Sequence, residues 1–354
     1  MKALVLSGGK GSRLRPLTYT GAKQLVPVGG RPILFYILDN IAKAGIKDVG
    51  MIISPETGEE VRNAVGDGDR WGINITYILQ ESPAGLAHAV RAGRDFLRDS
   101  PFIMYLGDNL IGSGIMGIID EFNRKMPDAL ILLKEVDEPR SFGIATVNGE
   151  RIIRLEEKPD VPQSNLALVG IYIFSPSIHR AIDEIRPSKR GELEITDAIQ
   201  RLIDTDGDVI SHRLEGWWLD TGKKDDLLTA NAVVLDEWGR RDIKGEVDKD
   251  SSIFGRVSIG KGARIIHSTI RGPAFIGDDA IIEDAFIGPY TSIGDGSRII
   301  KSAIENSVIM QGSFVSHLER LEDCLIGRRV RVEKNMKSHK ALRLNLGDDS
   351  VVEV

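Results

Sequence analysis

The sequence predicts two architectures in one chain: an α/β region on a Rossmann-like, mainly parallel sheet with helices on both faces, then a left-handed parallel β-helix. Three observations predict this. Up to about Trp238 short apolar runs alternate with helical patterns, and beyond Asp250 aliphatic residues recur at spacings of six, six and five. A glycine turn also leaves the first apolar run directly, at the carboxyl end of a strand where open α/β sheets bind ligands.

In chain order, Ala3 to Leu6 reads as the first strand, and Val49 to Ser54, Phe102 to Leu106, Ala129 to Leu133 and Val169 to Phe174 as further buried strands. Between them, Ile33 to Ala44 places Ile33, Leu34, Ile37, Leu38 and Ile41 on one helical face, and Gly85 to Leu97 also reads as a helix. Such alternation implies parallel strands with helical crossovers. The later repeat marks Ile253, Ile259, Ile265, Ile270, Ile276, Ile282, Ile287, Ile293, Ile299, Ile304, Ile309, Val315, Leu321, Ile326 and Val332, with one extra five-residue step between Ile304 and Ile309. Ile259-Gly260, Ile276-Gly277 and Ile293-Gly294 recur 17 residues apart. This resembles the hexapeptide repeat of left-handed β-helices, where each face of a triangular coil turns one aliphatic inward and the corners need small residues.

Composition narrows the functional classes. With 354 residues, 42% hydrophobic and 28% charged, the chain has the balance of a soluble two-domain protein, divided at 1–240 and 241–354, the second part ending in a C-terminal tail. A formal charge of -6 without a long basic run argues against nucleic acid as a partner. The single Cys324 excludes an intrachain disulfide and a cysteine zinc site. No 18-residue apolar run occurs, and MKALVLSGG is too short for a signal core, so no membrane partner and a cytoplasmic location are expected.

The chemistry starts in the stretch LSGGKGSRLRPLT. Gly8, Gly9 and Gly11 expose backbone N–H groups that suit phosphate, and Arg13, Arg15 and Lys23 strengthen that reading. The spacing matches neither a Walker loop nor a dinucleotide fingerprint. Downstream, Asp108 follows the strand Phe102 to Leu106 and Asp220 ends the run Trp217-Trp218-Leu219. Two carboxylates at strand ends can share one Mg²⁺. Leu155-Glu156-Glu157-Lys158-Pro159 sets a lysine among acids, which by itself also fits a surface ion cluster. Trp217 and Trp218 read as packing residues, Cys324 as an inert thiol, and His267 and His317 as residues of the repeat rather than an acyltransferase centre.

The ordered set GGKGSRLRPLT, AKQLVPV, QESPAGLAHAV, YLGDN, SFGIATV, LEEKP, VGIYIF, RGELEITD and WWLDTG resembles the sugar-nucleotidyltransferases. The likeness is greatest to the glucose-1-phosphate thymidylyltransferases of the longer form with a C-terminal β-helix, although Ala22 stands where the short form carries serine. The resemblance implies catalytic roles for Arg13, Lys23 and Lys158, and a nucleotide pocket from Leu6, Gly8, Gly9, Gly11, Gln24, Gln80, Pro83 and Gly85. It implies Mg²⁺ on Asp108 and Asp220, and a sugar-phosphate pocket from Asn109, Gly143, Glu157, Lys158, Tyr172 and Arg190, shaped by Glu192 and Glu194. The implied reaction, carried out by a homo-oligomer, transfers the nucleotidyl group of dTTP to glucose 1-phosphate by in-line attack on the α-phosphorus, giving dTDP-glucose and pyrophosphate. The same reaction with UTP, a non-catalytic regulatory or assembly subunit of the same layout, and a bifunctional acyl-transferring enzyme remain alternatives at this point.

Overall fold

The computed structural model describes residues 1–9 and 11–334. Within them the chain divides into two compact units, the first made of residues 1–9, 21–25 and 33–220, the second of 11–20, 26–32 and 221–334.

The first unit is built on a nine-stranded sheet. Its first strand, Lys2–Leu6, lies between Asp48–Ile53 and Phe102–Leu106 and runs parallel to both, with Asn74–Leu79 parallel at the edge. Ala3, Leu4 and Val5 are fully buried, as expected of a strand covered on both faces. The other half of the sheet is mixed. Leu166–Phe174 runs antiparallel to Phe102–Leu106 and to Ala129–Glu135, while Val209–Arg213 is parallel to Ala129–Glu135. Gly143–Asn148 and Arg151–Glu157 pair antiparallel because only two residues join them, far too few for a crossover. The expected parallel pairing holds among the strands of residues 2–106 and between Ala129–Glu135 and Val209–Arg213, whereas Leu166–Phe174 inserts antiparallel between Phe102–Leu106 and Ala129–Glu135.

Helix Ile33–Lys43 buries Ile33, Leu34, Ile37, Leu38 and Ile41 completely, the face expected from their spacing. The single helix expected from Gly85 to Leu97 is instead two, Leu86–Ala92 and Arg94–Leu97. Gly93 sits at the break, where a Cβ would lie 3.0 Å from Leu4 Cδ1, so close packing on the first strand takes a residue poorly suited to a helix interior. Among the described residues no helix is long and apolar enough to cross a membrane.

The second unit contains the coil. Three all-parallel sheets of six, six and five strands form the faces of a parallel β-helix, in keeping with the left-handed hexapeptide class. Each marked aliphatic pairs with the mark one coil later: Ile253 with Ile270, Ile259 with Ile276 and Ile265 with Ile282, through to Val315 with Val332. Their side chains make one apolar core, complete in the middle and partly exposed at Ile253, Leu321, Ile326 and Val332 near its ends. The short step is absorbed at a corner, since Ile293 still pairs with Ile309, 16 residues on. The coil also starts earlier than Asp250. Ile243 pairs with Ile259 and Val247 with Ile265, but their four-residue spacing hides them from a search at five and six.

Helix Lys224–Trp238 is tied to this coil through Asn231, which is buried. Asn231 Nδ2 donates to the Tyr290 carbonyl at 2.7 Å, while its Oδ1 accepts from Ser292 Oγ at 2.7 Å and from the Gly29 N–H at 2.8 Å. The ring of Phe275 covers Gly30, whose φ of 79° and lack of Cβ leave it room. Leu17 packs on the last coil, where a Cβ at Gly327 would lie 3.1 Å from Leu17 Cδ2. The coil thus supports segments 11–20 and 26–32 of its own unit.

Candidate active site

The glycine turn leaves the first strand in the middle of the parallel half of the sheet. The Ser7 N–H donates to the Ile52 carbonyl at 2.8 Å and the Gly107 N–H to the Leu6 carbonyl at 2.9 Å, so the ends of three adjacent strands are held together. Leu6 is buried beneath them. A Cβ at Gly8 would meet Gln80 Oε1 at 3.4 Å, and one at Gly9 would lie 3.9 Å from Gln24 Nε2. The two glutamines accordingly flank the turn, both buried. Gln24 Oε1 has no hydrogen-bond partner among the described residues, an acceptor suited to a ligand donor. Gln80 Nε2 is fixed by the Gly85 carbonyl at 3.2 Å and by His88 Nδ1 at 3.0 Å. Burial, aided by Arg91, lowers the pKa of His88 and favours the neutral ring that can accept this bond. His88 was missed by the sequence reading, although it lies within the motif QESPAGLAHAV. Gly85 has φ 105°, and a Cβ there would lie 2.3 Å from the Leu193 carbonyl oxygen. Leu193 receives the Ala87 N–H at 3.0 Å and donates to the Ala84 carbonyl at 2.8 Å, which staples this segment in place. Pro83 is exposed in the preceding turn.

A short antiparallel ladder brings the two metal candidates to one place. Trp218–Asp220 pairs with Asn109–Ile111 so that Asp220 lies opposite Asn109, the residue after Asp108. Lys23, buried in the turn Lys23–Leu25, forms an ion pair with Asp108. Asn109 Nδ2 donates to Asp108 Oδ1 at 2.9 Å, and Trp218 Nε1 donates to Asn109 Oδ1 at 2.6 Å. Burial by itself would raise the Asp108 pKa, but the charge and hydrogen bond of Lys23, with help from Asn109, hold it below the ordinary carboxylate value. Trp218 is therefore more than packing: its indole N–H orients Asn109, and its ring tilts against Phe142 with centroids 5.3 Å apart. The pattern WWLDTG carried this signal only through the pairing of its strand.

The sugar-phosphate candidates gather around Glu157. Its carboxylate receives Thr196 Oγ1 at 3.3 Å and Arg190 Nη1 at 3.3 Å, and lies 3.7 Å from Lys158 Nζ. Arg190 also meets Glu192 and Glu194, each at 3.4 Å. Burial raises the pKa of Glu194, with nearby Glu157 adding to the effect and Ser188 and Arg190 opposing it. Gly143 is required where it stands, because a Cβ would lie 2.9 Å from Thr196 Cγ2 and 3.3 Å from Glu157 Oε2. Tyr172 is buried, and burial with the Glu157 charge raises its pKa, so its hydroxyl stays protonated. Lys158 holds φ 43°, a left-handed conformation uncommon for lysine, with its N–H on the Phe142 carbonyl at 3.0 Å. Its side chain and that of Arg190 remain 44% and 43% exposed, so both cations can meet an anionic ligand. Thr196 is a second residue that the sequence reading missed, since an isolated threonine on a helix has no distinctive spacing.

The remaining two candidates belong to the second unit. Gly11 has φ 61° and receives Thr18 Oγ1 on its carbonyl at 2.7 Å. Arg13 is exposed, and its guanidinium crosses Gly222, where a Cβ would lie 3.1 Å from Nη2. The final glycine of WWLDTG thus gives the arginine its path.

The nucleotidyl transferase family model matches residues 2–237. The chain belongs to the nucleotidyl transferase family. It is 50% identical over the whole chain to glucose-1-phosphate thymidylyltransferase of Streptomyces antibioticus, covering 99% of that protein. It is 46% identical, again over the whole chain, to the protein of that name from Streptomyces griseus, with 99% of it covered. Among solved structures, a putative glucose-1-phosphate thymidylyltransferase from Bacillus anthracis in complex with a sucrose matches with TM-score 0.62 and 36% identity, over 66% of this chain and 94% of that one. As a family member the chain is a nucleotidyltransferase, and the regulatory-subunit reading falls away.

Proposed function

We propose that this enzyme transfers the thymidylyl group of dTTP to glucose 1-phosphate, giving dTDP-glucose and pyrophosphate. The observation that carries the reading is the end-to-end match, at 50% and 46% identity, to two proteins named glucose-1-phosphate thymidylyltransferase. In this reading the N–H groups of Gly8, Gly9 and Gly11 meet phosphate, while Arg13 and Lys23 neutralise the β- and γ-phosphates and the departing pyrophosphate. Leu6, Gln24, Gln80, Pro83 and Gly85 surround the nucleoside. Lys158 and Arg190 hold the phosphate of the sugar, and Asn109, Gly143, Glu157 and Tyr172 meet its ring. No general base is needed, because a phosphate monoester with a second pKa near ~6 is already largely dianionic at neutral pH. The residues instead have to position two anions that repel each other.

Asp108 and Asp220 fit a divalent cation: Asp220 ends one of two paired strands, Asp108 immediately precedes the other, both offer oxygen, and Asp108 is kept ionised by its neighbours. We assign them Mg²⁺, which would neutralise charge beside the α-phosphate when bound. Lys23 must exchange Asp108 for phosphate in that state. We further infer a catalytic region over 1–240, a β-helix with its tail over 241–354 that serves assembly into a homo-oligomer, and a cytoplasmic setting where nucleoside triphosphates are available.

The test is pyrophosphate release against a matrix of nucleoside triphosphates and sugar 1-phosphates, with the product identified by mass. The proposal requires dTTP and glucose 1-phosphate to be the preferred pair. Preference for UTP, a contrast of one methyl worth about 1–3 kcal/mol, would overturn the nucleotide assignment. Absence of release with every pair would overturn the reaction.

A further inference from the structure

Away from the site just described, the start of the β-helix gathers a second set of metal-ligating groups. Asp248, Asp250 and His267 each offer a ligand atom, and these atoms lie within 4.8 Å of one another. The arrangement follows from the coil. Asp248 and Asp250 occupy the corner between strands Glu246–Val247 and Ser252–Phe254, and His267 occupies the same corner one coil later, after Arg264–Ile266. Parallel stacking puts equivalent corner residues side by side.

The imidazole distinguishes this group from an acidic turn, and its two faces have different neighbours. Nε2 lies 3.8 Å from Asp248 Oδ2 and 3.7 Å from Asp250 Oδ2, whereas Nδ1 lies 3.8 Å from Asp284 Oδ1. These separations are too long for direct hydrogen bonds. The two histidine–carboxylate separations are close to the spacing of about 3.4 Å between ligands on a tetrahedral zinc with bonds of about 2.0–2.2 Å, and the carboxylate–carboxylate separation, within 4.8 Å, would close by side-chain rotation of the exposed Asp250 to seat an ion. Asp284 is then the carboxylate on the other ring nitrogen, the usual outer partner of a metal-bound histidine. Asp248 is already oriented, since its Oδ2 accepts the His267 backbone N–H at 2.9 Å. His267 and Asp284 also border an open cleft of about 650 Å³ that continues past Arg271 and Lys301, leaving access from one side.

We propose that Asp248, Asp250 and His267 form a divalent-cation site on the β-helix, separate from the carboxylates at Asp108 and Asp220. One nitrogen with two carboxylates selects a zinc-class ion over Mg²⁺, which favours all-oxygen ligation. Bound there, the ion clips the first coil to the second.

The experiment titrates Co²⁺, as a coloured stand-in for Zn²⁺, into the full-length protein in excess Mg²⁺ and follows visible absorption. The expected result is a saturable signal displaced by Zn²⁺ and retained in Asp108→Asn. Binding should weaken at least about tenfold in His267→Asn and in Asp250→Asn, and by a similar factor in Asp284→Asn. Asparagine suits position 267 because it tolerates the φ of 46° found there, and exposed Asp250 supplies an independent variant should the first fold poorly. Lack of a Co²⁺ signal in the parent protein would overturn the site, as would a signal lost in Asp108→Asn but unchanged in Asp250→Asn.

Discussion

At the scale of single residues, charge and hydrogen bonding at Asp108 make the sharpest predictions. Asp108→Asn and Asp220→Asn should each lower turnover by roughly a hundredfold or more while the protein stays folded, checked by steady-state assay beside circular dichroism. Near-parental activity of either variant at low Mg²⁺ would remove it from the metal assignment. Lys158→Ala should raise the requirement for the sugar phosphate, and Lys23→Ala should chiefly impair use of the triphosphate; a common effect on one substrate would undo that division. The Lys23–Asp108 pair also has a pH signature. Because the folded-state pKa of Asp108 lies below its ordinary value, the pair contributes its full stability above about pH 4 and loses it as pH falls through the depressed pKa. Urea unfolding across the acid range should therefore show a flatter acid limb for Asp108→Asn than for the parent. Trp218→Phe keeps a ring against Phe142 but removes the donor to Asn109, and a loss of about 1 kcal/mol in kcat/KM is expected.

At the scale of elements, two connections are held by residues with little tolerance. Gly85→Ala would drive a Cβ to 2.3 Å from the Leu193 carbonyl at a φ suited to glycine. Backbone displacement costing about 1–3 kcal/mol is expected, with weaker nucleotide binding because Gln80 is anchored to the Gly85 carbonyl. Asn231 joins helix Lys224–Trp238, the segment at Gly29 and the coil at Tyr290 and Ser292. Asn231→Leu leaves those groups without their partners, and a drop in stability of about 3 kcal/mol or more should appear in denaturant unfolding. A value near zero would mean that water replaces the amide without loss.

At the scale of the whole molecule, the coil has two proposed duties. Truncation after Trp238 should change the oligomeric state seen by light scattering, since the proposed assembly surface is removed. The same cut removes Gly327 and Phe275, against which Leu17 and Gly30 pack in the second unit. Segment 11–20 carries Arg13, so the truncated chain should also use the triphosphate poorly, measured as a fall in kcat/KM for dTTP. An unchanged oligomer would refute the first duty, and unchanged kinetics the second. A coil whose interior is saturated with aliphatic residues can perform both through its surface without an active site of its own.

Which features were legible in the sequence follows from how local their causes are. The aliphatic marks from Ile253 to Val332 specify the register of the β-helix because each coil face repeats the same inward position, and the apolar face of Ile33–Lys43 follows from helical period alone. The first coil at Ile243 and Val247 escaped because its spacing is irregular, and the mixed half of the sheet because strand direction depends on which distant strand supplies the partner. The sequence by itself determined the two architectures, the family and the types of residue proposed for phosphate and metal. Only the tertiary structure decided that Asp220 stands opposite Asn109, that Trp218, His88 and Thr196 orient Asn109, Gln80 and Glu157, and that Arg13 rides on a segment supported by the coil. Apart from the pair Gln80 and His88, those contacts join residues far apart in the chain, and pairing between distant segments is a property of packing that no local period records.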